Sequence, residues 1–256
     1  MKNNSLFQTG FFNYISTMPF SKLIKGFYQF HSKYFLEGTK LYKTLTQKGQ
    51  SPEVLVIACS DSRNDPALVT QSEPGDMFVI RNVAAIVPPY QPDSQYHGTS
   101  AAIEFAIKGL QVKDIVVMGH SLCGGVNALL SGKDKTQDFE FLTHWIKIGS
   151  AARDEVLMEL KSIDPSIQQR ALEQAVIMTS LNNLMTFPWI RDGVAAGKIT
   201  LHGWYFDMVT GKMLGLDFAT GQFMDIAQTS LVDAFSKRSM HFCDCDIHQV
   251  IKHHKI

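Results

Sequence analysis

The chain has 256 residues, 45% of them apolar, enough to bury a sizeable core in one large domain or two small ones, and one is the simpler reading. Lysine plus arginine and aspartate plus glutamate balance at 24 each, so nothing in the charge suggests nucleic acid or an anionic membrane as partner, and a small or neutral substrate fits better. Four cysteines are too few for a disulfide scaffold, no apolar run reaches the roughly 18 residues of a membrane span, and Gln8, Thr9, Asn13 and Ser16 interrupt any signal-peptide core, so the expected location is the cytoplasm.

From Ser21 to Thr46, Leu23, Phe27, Phe30, Tyr34, Phe35, Leu41 and Leu45 recur at helical spacing with a break around Gly38. So many aromatic residues on leading helices suit docking on another surface, such as a second subunit. Short β-rich runs at 54–58, 77–80 and 115–118 then alternate with helical patterns, the clearest from Gly98 to Leu110. That alternation predicts a mostly parallel sheet flanked by crossover helices. Helical periodicity over Asp138–Leu160 and Pro165–Phe187 is punctuated by Pro165 as a start and Pro188 as a stop. Lys198–Asp207 reads as a strand, Thr210-Gly211-Lys212 as a turn and Met213–Phe218 as its antiparallel return. The expected organisation is a single α/β domain, with a helical arm at 1–48, a core at 49–233 and a polar tail at 234–256.

The chemistry is concentrated just after two of the apolar runs. Cys59-Ser60-Asp61-Ser62-Arg63 follows the first, and Gly119-His120-Ser121-Leu122-Cys123 follows the third. Adjacent parallel strands bring their carboxyl ends together, which is where ligands bind in open α/β sheets. Two thiols, an imidazole and a carboxylate with its own cation make a ligand set for zinc, with room for an exchangeable fourth position. If the chain stays extended past Cys59, then Cys59, Asp61 and Arg63 point the same way.

Rival readings are weaker. Free cysteines are often small buried hydrophobes, but not usually beside a histidine and an ion-paired aspartate. Residues 119–123 approach the Gly-x-Ser-x-Gly elbow of serine hydrolases, yet the fifth position is Cys123 and no downstream triad partners stand out. His241, Cys243, Cys245 and His248 lack the gap and the partner pair of a structural metal site, and His97 is simplest as a surface-loop histidine rather than a proton shuttle. A zinc-holding module without turnover would have lost Asp61, Arg63 or the open position, and all three are retained.

These two half-motifs resemble the zinc site of the β-class carbonic anhydrases, built from Cys-x-Asp-x-Arg and His-x-x-Cys segments. The resemblance extends through Glu73-Pro74-Gly75-Asp76, Phe78–Ala84, Cys123-Gly124-Gly125 and His202-Gly203-Trp204, covering roughly Gln50 to Leu216. It implies a lyase interconverting CO₂ and bicarbonate, with one zinc per chain held by Cys59, His120 and Cys123. A hydroxide in the fourth position would be oriented by Asp61, itself paired with Arg63. Gln50, Phe78, Val83, Phe105 and Gly124 match substrate-contacting positions. Gln50 and Phe78 would come from the neighbouring subunit of a homodimer or higher even oligomer, so that the site is shared across the interface. Phe105 stands where plant-type members carry tyrosine, so a pocket hydroxyl is missing. Val56 replaces the tryptophan of self-inhibiting members, which implies the open, plant-type site, with Asp61 a metal ligand only in a closed state. Activity on COS or CS₂ by the same centre is the nearest enzymatic alternative.

Overall fold

A computed structural model describes residues 20–37, 40–132, 139–227 and 247–254. The chain divides into two compact units, Met1–Gln50 and Ser51–Ile256.

In the first unit, helix α1 (Ser21–His31) runs into a π-helical turn (Ser32–Leu36) and is followed by α2 (Leu41–Lys48). The break expected around Gly38 lies outside the described residues, and the helices on either side end at Leu36 and begin at Leu41. What ties the two helices together is aromatic: Tyr42 of α2 meets the rings of Phe30, Tyr34 and Phe35 at centroid distances of 5.3, 5.4 and 5.1 Å. Phe30, Tyr34 and Phe35 thus pack within the unit, while Leu23 and Phe27 stay exposed.

The second unit is built on six strands: β1 (Val54–Cys59), β2 (Met77–Asn82), β3 (Asp114–His120), β4 (Thr200–Asp207), β5 (Lys212–Asp217) and β6 (Gln222–Asp225). Their order is β2-β1-β3-β4-β5-β6, parallel from β2 to β4 and antiparallel from β4 to β6. The mostly parallel sheet and its antiparallel return match the sequence reading, while β6 adds a strand that its polar, short sequence does not announce. β1 and β3 are continuously apolar because both faces of the sheet are buried there.

Helices α3 (Pro66–Thr70), α4 (Gly98–Glu104), α5 (Gly124–Leu130), α6 (Glu140–Ile146), α7 (Ser150–Glu159), α8 (Pro165–Met185), α9 (Pro188–Ala195) and α10 (Ile247–Lys252) complete the unit. Asp164 caps α8 by accepting the Ser166 N–H at 2.8 Å, and Pro165 occupies the first turn, where no N–H is needed. Pro188 has two roles. It forces Phe187 into an extended conformation, which separates the helices, and it then opens α9 from the first position, a helix the sequence reading did not include.

Helix α8 determines the depth of the site. It lies against β3 and β4, and at Gly119 an added Cβ would come within 2.7 Å of the Ile177 side chain. Glycine there lets the helix press onto the carboxyl end of β3, which brings Glu173 beneath the loop carrying Cys123. The described part of the segment read as a polar tail also contributes to the core: Ile251 of α10 is fully buried beside α7 and α8, and His254 Nε2 meets Gln174 Oε1 at 3.0 Å. Among the described residues no helix is long and apolar enough to cross a membrane.

Candidate metal centre

Cys59 ends β1 and His120 ends β3, and because these strands pair in parallel with Ala58 opposite Met118, the two residues emerge side by side. Cys123 follows at the N-cap of α5. The result is a buried cluster in which the two sulfurs and one imidazole nitrogen lie within 4.8 Å of one another. The Cys59 and Cys123 sulfurs are 3.9 Å apart. A disulfide requires about 2.05 Å, whereas two thiolates at 2.3 Å on a tetrahedral zinc are about 3.8 Å apart.

The histidine fits the same geometry. Its Nδ1 donates to the Ser121 carbonyl at 2.9 Å, which leaves Nε2 as the bare acceptor in the neutral ring, and that buried nitrogen has no hydrogen-bond partner among the described residues. An orphaned imidazole nitrogen facing two sulfurs is what a metal ligand looks like without its ion. The thiols agree. The Cys59 thiol is pulled well below its ordinary value, first by its hydrogen bond with Cys123 and then, against the cost of burial, by His120 and the N–H groups of Asp61 and Ala84. Cys123 is pushed up, by the same hydrogen bond and by burial. Two buried thiols this close ionise together only with a cation between them.

Asp61 and Arg63 come together differently from the extended arrangement expected from sequence. Beyond Ser60 the chain turns: the Asp61 carbonyl accepts the Asn64 N–H at 3.1 Å, and Asp61 Oδ1 accepts the Arg63 N–H at 2.9 Å. A short carboxylate side chain hydrogen-bonding two residues ahead favours this turn over a continued strand. Arg63 then clasps the same carboxylate through Nε (3.0 Å) and Nη2 (2.8 Å), and Nη2 also reaches the Leu122 carbonyl at 3.2 Å. Arg63 holds the Asp61 carboxyl well below the usual carboxylate range. Asp61 Oδ2 stands 4.0 Å from His120 Nε2, facing the cluster without joining it.

Several residues that sequence reasoning passed over support this geometry. Arg81 donates to the Cys59 carbonyl (3.0 Å), the Asp61 carbonyl (2.7 Å) and Asp65 (2.7 Å), so a single guanidinium fixes the whole 59–65 loop. The Ala84 N–H lies 3.3 Å from the Cys59 sulfur, presented by a backbone in which Ala84 and Ala85 take left-handed φ values of 66° and 54°. Without glycine each costs about 1–2 kcal/mol, strain of the kind that accumulates at functional sites. Beneath Cys123 sits Glu173, buried, accepting hydrogen bonds from the Cys123 N–H, Gln169 and Tyr205; burial raises its carboxyl above the ordinary value. One ionisable residue in the apolar stretch 171–178 is the only sequence signal for it.

The remaining predicted positions divide. Val83 lies just past β2, beside Asn82, which pairs with Cys59, and its side chain meets α5 where Gly125 carries no Cβ. Gly124 faces open space. Phe78 instead pairs with Leu55, four residues from Cys59, or about 13 Å along the strand, and it packs against Phe105 with centroids 5.8 Å apart. Within one chain these two rings are not brought to the metal cluster. Gln50 belongs to the first unit. The hydrolase reading loses its nucleophile, since Ser121 is buried and its hydroxyl accepts the Met208 N–H at 2.8 Å. His97 Nε2 is engaged by Asp93 at 2.6 Å. In the C-terminal segment His248 pairs with Glu155, while His241, Cys243 and Cys245 lie outside the described residues.

A buried Cys₂His cluster at the carboxyl edge of a parallel sheet, with an ion-paired carboxylate facing it, is the donor set of a mononuclear metal site. The family model described as carbonic anhydrase matches residues 54–213. The chain is 36% identical over 209 residues to β-carbonic anhydrase 5, chloroplastic, from Arabidopsis thaliana, an alignment that spans 81% of this chain and 68% of the relative. Among solved structures, the β-carbonic anhydrase CcaA superposes with a TM-score of 0.76 at 36% identity, covering 81% of this chain and 100% of that one. The tetrameric β-carbonic anhydrases of Sordaria macrospora follow at 0.69 and 31%, covering 77% of this chain and 96% of theirs. The chain belongs to the β-carbonic anhydrase family, and its activity is that of a carbonic anhydrase, the interconversion of CO₂ and bicarbonate.

Proposed function

We propose that this protein hydrates CO₂ reversibly to bicarbonate and a proton through one zinc ion per chain, held by Cys59, His120 and Cys123. The observation that carries the proposal is the 3.9 Å separation of two buried sulfurs next to an unpartnered imidazole nitrogen. Zinc bound there supplies Lewis acidity, which lowers the pKa of a coordinated water toward neutrality.

The chain's own residues shape the rest. Two thiolates would offset much of the cation's charge, which leaves more of the task to the surrounding groups. Asp61, kept ionised by Arg63, accepts a hydrogen bond from the attacking oxygen and so turns a lone pair toward the CO₂ carbon. Its pairing with Arg63 and its 4.0 Å stand-off from His120 suit an orienting group in an open site. CO₂ is apolar with weak acceptor oxygens, which fits a pocket of Val83, Phe78 and Phe105 beside Gly124 with one amide donor, Gln50. Phe78 is about 13 Å along the strand from Cys59, which supports a working unit in which a second copy of the chain supplies it together with Gln50, a homodimer or higher even oligomer. The test is zinc stoichiometry together with stopped-flow CO₂ hydration on the purified oligomer. One zinc per chain with turnover is expected, and turnover by metal-free protein would overturn the assignment.

A further inference from the structure

The metal-ligating loop rests on a buried carboxylate that the reaction does not use. Glu173 projects from α8, and its Oε1 accepts the backbone N–H of Cys123 at 3.0 Å and the Gln169 amide at 2.9 Å. Its Oε2 accepts the Tyr205 hydroxyl at 2.8 Å. Gln169 is itself held by Asn127 of α5 at 2.6 Å and reaches the Cys123 carbonyl at 3.4 Å. A carboxylate inside a protein is costly unless its acceptor sites are filled, and each of these three bonds comes from a neutral donor, with no cation in direct contact among the described residues. An apolar residue would fill the same space without that cost, so the carboxylate's value lies in what it holds.

What it holds is Cys123. This residue stands at the N-cap of a seven-residue helix, directly after Leu122, whose left-handed φ of 57° bends the chain between His120 and Cys123. Such a loop has few ways to fix the second sulfur relative to the first. The long rigid helix α8, seated on β3 at Gly119, supplies an outside reference: through Glu173 it grips the Cys123 backbone, and Tyr205 of β4 locks the carboxylate from the other side.

We propose that Glu173 is a positioning residue for the metal centre, an acceptor set at the right reach to fix the Cys123 sulfur for zinc. This inference rests on the reading that Cys123 ligates zinc. Metal-site partners of this outer kind typically change affinity 10- to 100-fold when removed.

Two mild variants of the full-length oligomer separate reach from charge. Glu173→Gln keeps an oxygen at the same reach for the Cys123 N–H and loses the charge; Glu173→Asp keeps the charge and withdraws the acceptor by one methylene. Zinc affinity is measured by competition with a chromogenic chelator, and the Co²⁺-substituted proteins are compared through their thiolate-to-cobalt charge-transfer bands. The expected result is Glu173→Gln within about threefold of wild type with unchanged bands, and Glu173→Asp weaker by roughly 10- to 100-fold with shifted bands. Wild-type affinity in Glu173→Asp, or a Glu173→Gln as weak as or weaker than Glu173→Asp, would overturn the inference while leaving the zinc assignment intact. Failure of the wild type itself to bind zinc in the same titration would overturn both. A purely structural role would lower the unfolding midpoint of either variant without ordering the two affinities or moving the cobalt bands.

Discussion

Replacing Asp61 with asparagine asks the sharpest question of the proposed mechanism. The carboxylate accepts three bonds from Arg63, at 2.9 Å from the backbone N–H, 3.0 Å from Nε and 2.8 Å from Nη2. An amide of the same shape can satisfy one side of that fork and must set its NH₂ against a donor on the other, losing at least one charge-assisted bond of about 1.5–3 kcal/mol. Whichever way it turns, the group facing the attacking oxygen no longer carries a fixed negative charge. Loss of one preorganised hydrogen-bonding group at a reacting centre costs roughly 10²- to 10³-fold in kcat. Zinc should stay bound, because Asp61 Oδ2 is 4.0 Å from the imidazole nitrogen and outside the ligand cluster. Stopped-flow CO₂ hydration of an Asp61→Asn variant with its zinc content measured in parallel is therefore expected to show about one zinc per chain and kcat reduced by that factor. Activity within about threefold of wild type at full zinc content would remove Asp61 from the mechanism.

Other perturbations have equally definite outcomes. Cys123→Ser trades a thiolate for a hydroxyl that does not ionise at neutral pH, so metal analysis should find zinc largely lost and hydration abolished with it. His254 is lowered to about 4 by burial and by the nearby Arg170 and His253 charges. The unfolded chain takes up a proton near pH 6.5 and the folded one only near 4, so the contribution of the neutral ring is complete above that range and is lost as pH falls through it, by up to roughly 3 kcal/mol. The unfolding midpoint should drop between pH 7 and pH 5 in wild type and drop less in His254→Gln.

Much of the core was readable because its signals are local. The apolar runs at 54–58 and 115–118 can be little else than buried strands, and the residues that follow them carry thiol, imidazole and carboxylate groups whose chemistry does not depend on where they end up. Helix α8 announces both its ends with proline. The misreadings also have local causes. Extending the strand past Cys59 overlooked the tendency of an aspartate to fold back on the N–H two residues ahead, which is what draws Asp61 and Arg63 together. Pro188 reads as a full stop because a proline ends a helix, although it equally well begins one.

By itself, then, the sequence determined the kind of ion this chain can hold and the strand ends that present it, since ligand type and side-chain periodicity are properties of short segments. Only the tertiary structure decided that β1 lies next to β3, that Arg81 and Glu173 reach into the loops carrying Cys59 and Cys123, and that Phe78 sits opposite Leu55, about 13 Å along the strand from Cys59. Each of these depends on contacts between residues far apart in the chain, such as the bond from Cys123 to Glu173 fifty positions later, and no local pattern encodes which distant partner will close such a gap.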